Sequence, residues 1–121
     1  MELKKVHEDK RGSIWVIKDF LGPGKEYSIL EIKKGLARGG CLHPKDEYYS
    51  IIKGKVKVMM GNKEHIANAG DSGVSPANVP HAFIGIEDSI ISEWGITTEE
   101  KKADLKNPEM RRIIDEINSK L

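Results

Sequence analysis

Cysteine occurs once in the chain, at Cys41, which excludes an internal disulfide framework. A lone thiol fits a reducing compartment, and a cytoplasmic location is the expectation. An excess of either charge is also missing: 20 basic residues stand against 19 acidic ones, for a net charge of +1. Nucleic-acid binders ordinarily carry a basic stripe, so no nucleic-acid partner is expected. Nor is there an apolar run near the roughly 20 residues that a membrane-spanning helix needs. The opening Met1-Glu2-Leu3-Lys4-Lys5-Val6-His7-Glu8 lacks the hydrophobic stretch of a secretory signal. No membrane partner is therefore expected. Repeats and low-complexity tracts are absent. What remains is 121 residues with 38% hydrophobic and 32% charged content, read as one domain over residues 1–121. A chain of that length buries about two-thirds of its unfolded surface, enough for a core without staples.

Short strands punctuated by glycine and proline fill the chain from about residue 12 to 96. Ile14 to Ile17, Tyr27 to Lys33, Glu47 to Ile52, Val56 to Met60, Glu64 to Ala67, Ala82 to Ile86 and Ser89 to Ile96 are strand candidates. Turn signals separate them at Leu21-Gly22-Pro23-Gly24, Gly61-Asn62-Lys63, Asn68-Ala69-Gly70-Asp71 and Pro76-Ala77-Asn78. Lys53-Gly54-Lys55 reads as a tight hairpin, with glycine supplying the positive φ. If Glu47 faces inward, Tyr49 and Ile51 do too, while Tyr48, Ser50 and Ile52 face out. After the hairpin, Val56, Val58 and Met60 share one face. This spacing of strands indicates a sandwich or barrel.

From about residue 98 to 120 the period becomes helical. Thr97-Thr98-Glu99-Glu100 fits a capping box, and Asn107-Pro108 a second helix start. Met110, Ile113, Ile114, Ile117 and Leu121 form one apolar stripe, suited to packing on the outside of the β domain or against a second subunit.

Four residues distant in the text carry donors for a divalent metal: Cys41, His43, Glu47 and His81. Cys41 and His43 are two apart, so an unbroken strand presents both on one face. Spacing alone leaves a metal site and a coincidence both open. Among the remaining histidines, His7 and His65 read as surface residues. Trp15 and Trp94 read as core or pocket wall, and Arg38 and Lys45 as loop charge or anion contacts.

The run Gly35-(five residues)-Cys41-Leu42-His43-(three)-Glu47-(six)-Gly54 resembles the first motif of the cupins, and Gly70-(five)-Pro76-Ala77-Asn78-(two)-His81 resembles the second. All intervals agree. Three positions depart: Cys41 replaces a motif histidine, Asn78 a glycine and Gly85 an asparagine. Asparagine enters left-handed backbone more readily than other non-glycine residues, so Asn78 is compatible with the motif. The resemblance implies an all-β, antiparallel jelly-roll barrel with a C-terminal α-helical segment. It also implies a metal site at its mouth formed by His43, Glu47 and His81. Cys41 is then either a thiolate fourth ligand or a small buried side chain beside three ligands. The expected cofactor is a divalent transition metal (Zn, Fe, Ni, Mn or Cu). The expected partners are a small polar substrate or ligand, contacted by Arg38 and Lys45, and a second copy through the apolar outer face at Tyr48 and Ile52. As an enzyme the family allows isomerase, lyase or dioxygenase chemistry, with Glu47 or Tyr49 moving a proton.

A second resemblance points elsewhere. Arg38-Gly39-Gly40-Cys41-Leu42-His43-Pro44-Lys45, and earlier Asp9-Lys10-Arg11-Gly12-Ser13, are similar to runs in cupin-fold nucleotide-sugar ketoisomerases and epimerases. That branch implies a metal-free site in which His43 is the base, Tyr49 an acid and Arg38 the diphosphate contact. A non-enzymatic ligand-binding barrel is the third reading.

Overall fold

A computed structural model of the chain describes residues 2–20 and 22–120. Its two antiparallel sheets close over one interior. The larger runs β1 (Leu3–Asp9), β2 (Gly12–Lys18), β3 (Glu26–Ile32), β10 (Ser89–Trp94), β5 (Glu47–Lys53) and β8 (Ser72–Ser75) from edge to edge. The smaller runs β11 (Leu105–Lys106), β4 (Ala37–Leu42), β9 (His81–Gly85), β6 (Lys55–Met60) and β7 (Lys63–Asn68). Strands close in sequence are therefore split by distant ones, β10 lying between β3 and β5 and β9 between β4 and β6. That interleaving is the jelly-roll arrangement of a small barrel.

Side-chain alternation explains the closure. On β5, Glu47, Tyr49 and Ile51 are buried, whereas Tyr48 and Ile52 are exposed, as the pattern of the strand demands. Val56 and Val58 enter the same core with Leu30, Ile32, Phe83 and Ile91. Gly54 carries the hairpin at φ 88°, and Asn78 holds φ 63° at the head of the second motif loop.

Four strands, β1, β4, β8 and β11, go beyond the sequence expectation. β1 begins at Leu3, ahead of the expected start near residue 12, as a polar edge strand whose lysines suit an unpaired border. β4 contains two glycines, weak formers of strand, and β8 is only four residues long. The C-terminal segment also differs. The capping box forms, with Thr97 Oγ1 accepting from the Glu100 amide at 3.1 Å and Glu100 Oε1 accepting from the Thr97 amide at 3.1 Å. It opens only one turn of 3-10 helix, Glu100–Ala103. Asp104 is extended (φ −62°, ψ 144°), and the next two residues pair with β4 as β11, so residues 98–106 are not α-helical.

Among the described residues one α-helix forms, α1, which spans Pro108–Ser119, with Asn107 Oδ1 accepting from the Met110 amide at 2.9 Å. Met110 and Ile114 bury against Ala37 and Ala82 on the outside of the smaller sheet, flanked by Ile117. Leu121, at the end of the expected stripe, lies outside the described residues. Near its C-terminus, α1 brings Asn118 to β4. There its side-chain oxygen accepts from the Ala37 amide at 2.8 Å and its side-chain nitrogen donates to the Ala37 carbonyl at 2.9 Å.

Candidate metal centre

His43 lies one residue past the end of β4, Glu47 opens β5 and His81 opens β9. Two bonds tie the loops that carry them: the Asn78 amide donates to the His43 carbonyl at 2.6 Å, and the Ala77 amide to Asp46 Oδ1 at 2.8 Å. Glu47 Oε1 then stands 3.2 Å from His43 Nε2 and 3.8 Å from His81 Nε2. The imidazoles meet edge to face with centroids 4.7 Å apart. One donor atom from each of the three residues lies within 4.8 Å of the others, and all three residues are buried.

The atoms facing away from that point have partners of their own. His43 Nδ1 is 2.7 Å from Asp104 Oδ1, Glu47 Oε2 is 2.9 Å from Lys101 Nζ, and His81 Nδ1 is 3.3 Å from the Val79 carbonyl. The first two contacts are pairings of charge without aligned hydrogen bonds, since Nδ1, Oε2 and Oδ1 lack a directed partner. Lys101 Nζ also lies 3.9 Å from Glu93 Oε1.

Burial and neighbouring charge set the proton affinities. Burial opposes ionisation of Glu47, yet His43 and Lys101 outweigh it and hold the carboxyl below its ordinary range. Burial pushes Glu93 strongly the other way, reinforced by the negative charge of Glu47. Burial and the neighbouring His43 lower His81, which favours the neutral imidazole that ligates metal. For His43, burial lowers the affinity for a proton but Glu47 and Asp104 raise it further.

Beside the cluster is a cavity of about 340 Å³, lined also by Ile14, Leu30, Phe83, Cys41, Arg11, Arg38 and Arg111. Cys41 thus reaches the cavity but not the ligand cluster, which comprises His43, Glu47 and His81. Cys41 pairs with His81 across β4 and β9 and faces the same cavity as His43. Burial raises the Cys41 thiol above its ordinary value, which favours the neutral form. Arg38 is not loop charge. It sits on β4, buried, and donates to the carbonyls of Glu31 at 2.8 Å and Gly12 at 3.0 Å. Lys45 does not line the cavity; its ammonium pairs with Glu100 at 2.7 Å. Tyr49 faces inward as expected, but one step deeper than Glu47, where it packs edge to face on Phe83 at 5.1 Å and is absent from the cavity wall. Trp94 belongs to neither the core nor the cavity wall; it stacks between Tyr27 and Tyr48 on the outer face of the larger sheet. His7 is exposed, yet it borders the cavity and contacts Asp9 at 2.7 Å.

Glu93, Lys101, Asp104 and Arg111 escaped the sequence reading. Only Glu93 left a signal there, since it shares the inward parity of Ile91 on β10. The others reach the cavity through tertiary folding of the C-terminal segment.

Two imidazoles and one carboxylate, converging from a rigid frame with their rear atoms engaged, fit a divalent transition metal. The buried Glu47 Oε2 and His43 Nδ1, lacking aligned hydrogen bonds, agree with a site organised around charge.

Fold and cluster together define a small jelly-roll protein with a two-histidine, one-carboxylate site. The chain belongs to the cupins: the model of the Cupin domain matches residues 28–94, more than half of its length. No curated protein matches the chain by sequence. Among solved structures it is similar to the oxalate decarboxylase of Lactobacillus farciminis, in complex with formate, at 32% identity and TM-score 0.64 over 76% of this chain and 30% of that one. It also resembles the Bacillus subtilis oxalate decarboxylase, a protein with Mn(II) centres, at 17% identity and TM-score 0.68, covering 85% and 29% of the two chains. The capsular polysaccharide assembling protein CapF of Staphylococcus aureus is similar at 17% identity and TM-score 0.69, over 83% and 31%. The chain spans about a third of the length of each of these neighbours.

Proposed function

We propose that this chain is a metal-binding cupin acting on a small polar metabolite, of sugar or carboxylic-acid type, in a reducing cytoplasm. The observation that carries the reading is the convergence of His43 Nε2, Glu47 Oε1 and His81 Nε2 beside an open cavity. Those three atoms would hold Zn, Fe, Ni, Mn or Cu, which supplies Lewis-acid polarisation of a substrate oxygen. The Mn(II) centres of a structural neighbour support that class of ion. The chain's own residues then do the rest. Arg38, fixed by two backbone carbonyls, and Arg11, ion-paired with Asp9 at 2.5 Å, give the cavity a positive wall that orients an anionic or oxygen-rich substrate. Ile14, Leu30 and Phe83 limit water on the other side. Glu93 lines the same cavity, and its burial favours the protonated carboxyl, so this reading assigns it the proton for an isomerase, lyase or dioxygenase reaction.

Elemental analysis tests the reading. Protein purified without added ions is expected to carry one divalent ion per chain, and His81→Ala to lose it. A metal-free wild type whose melting temperature rises with a nucleotide sugar overturns the metal reading in favour of the metal-independent epimerase reading. The likeness to CapF speaks for that alternative; the convergence of His43, Glu47 and His81 on one point speaks for the metal. Metal-bound protein that turns over nothing across sugars and organic acids leaves a ligand-binding barrel.

We also propose a homodimer through the outer face of the larger sheet. Phe20, Tyr27, Trp94 and Tyr48 form a continuous aromatic row with centroids 5.5, 6.0 and 6.1 Å apart, and exposed Ile52 and Val74 extend it. A contiguous apolar patch of this kind is unusual on a monomer. Light scattering should give twice the chain mass for the wild type and one chain mass for Tyr48→Lys. A monomeric wild type at tens of micromolar removes the proposal.

A further inference from the structure

The segment between the capping box and α1 sends two opposite charges into the centre. Lys101 places its ammonium 2.9 Å from Glu47 Oε2, and Asp104 its carboxylate 2.7 Å from His43 Nδ1. Both contacts fall on the ligand atoms that face away from the cluster. We propose that Lys101 and Asp104 are positioning residues that set the metal affinity of this site in opposite directions, Lys101 weakening it and Asp104 strengthening it. The assignment rests on the metal-binding reading above.

A carboxylate already shared with an ammonium has less negative charge to offer a cation, and the ammonium repels the ion directly. Lys101 also turns Glu47 so that Oε1 is the oxygen nearest the two histidines, while Oε2 is held back. Asp104 Oδ1, 2.7 Å from His43 Nδ1, puts negative charge behind that imidazole and makes it the stronger donor to a cation. Outer partners of metal-ligating side chains are worth about 10–100-fold in affinity. Glu93 Oε1 stands 3.9 Å from the same ammonium.

The segment is anchored at both ends, so these charges do not have to be ordered when the ion arrives. The Thr98 amide donates to Glu26 Oε1 at 3.0 Å, and Glu100 pairs with Lys45 at 2.7 Å. Beyond Asp104, β11 joins the sheet, and the Asn107 amide donates to the Gly40 carbonyl at 2.9 Å. Lys45, expected at the substrate, acts here as a tether.

Zn²⁺ affinity measured on metal-free protein, by competition with a chromophoric chelator at one pH, tests the assignment. Lys101→Met is expected to bind Zn²⁺ about tenfold more tightly than wild type and Asp104→Asn about tenfold more weakly. Lys101→Arg, which keeps the charge, should return the wild-type value. Lys102→Met is the control: that side chain is exposed and pairs with Glu99, outside the centre, so its affinity should not move. The zinc-induced rise in melting temperature should follow the same order, and circular dichroism of each metal-free variant verifies folding. If either Lys101→Met or Asp104→Asn fails to fold, Lys101→Gln and Asp104→Ser take its place. Wild type that binds Zn²⁺ with both variants unchanged, or shifted in the same direction, overturns the assignment and leaves the metal reading standing. Wild type that binds neither Zn²⁺ nor Mn²⁺ overturns both.

Discussion

Glu47→Gln is expected to lose more than a hundredfold in affinity for a divalent metal and, separately, to destabilise the metal-free chain. The first effect follows because Glu47 is the anionic member of the ligand set, and its Oε1 is the atom nearest both imidazoles. An amide oxygen in the same place offers the geometry without the charge. The second effect arises because Glu47 is 1% exposed and holds Lys101 at 2.9 Å. Breaking a buried pair leaves the partner desolvated, at a cost of about 3–5 kcal/mol when both charges are fully buried. Lys101 retains partial access to water and the more distant Glu93, so a loss of about 2 kcal/mol is expected. Urea unfolding in the presence of a chelator measures this directly. An unchanged midpoint would show that the ion pair contributes nothing to the metal-free fold.

The other large effect is expected from backbone packing. Gly39 lies on β4 at φ 119°, and a Cβ there would stand 2.6 Å from the His81 carbonyl oxygen and 2.7 Å from Ala82 Cα. Both neighbours are backbone of β9 and have no side-chain freedom to yield. Gly39→Ala should therefore cost about 3 kcal/mol or more, the sum of a disfavoured φ and the separation of paired strands. Because β9 carries His81, the same change should also weaken metal binding. Gly24→Ala serves as the comparison, since Gly24 has φ 74° but nothing within 4 Å of the added carbon. A Gly39→Ala chain as stable as Gly24→Ala would sink the close-approach argument.

How much of this was legible beforehand depended on the kind of signal. The inward row Glu47, Tyr49, Ile51 and the turn at Gly54 were readable because alternation and positive φ are local properties. The meeting of His43, Glu47 and His81 was readable only through motif intervals, since no local rule joins β9 to β5. Cys41 stands at the place of a motif histidine, which leaves thiolate ligand and small neighbouring side chain both open, and the cluster of His43, Glu47 and His81 forms without it. Arg38 was read as loop charge because Gly39 and Gly40 disguise β4, and glycine says little about strand when a bulge is what it serves. Tyr49 was given chemistry on parity alone, although parity is silent on depth. Lys101 and Asp104 were illegible: the capping box was read correctly, but the fate of the chain after it depends on pairing with β4.

That pairing has a consequence for the behaviour of the protein at high concentration. Along the outer side of β4, Leu42 and Cys41 are paired by β11, the Gly40 carbonyl by Asn107, the Gly39 carbonyl by Arg111 at 2.8 Å, and Ala37 at both polar atoms by Asn118. The border nearest the metal centre is thus sealed by the chain's own C-terminal residues. Strand addition to this smaller sheet is left to its far border at β7, where Lys63, Glu64 and His65 present charge and polarity that discourage fibrous association.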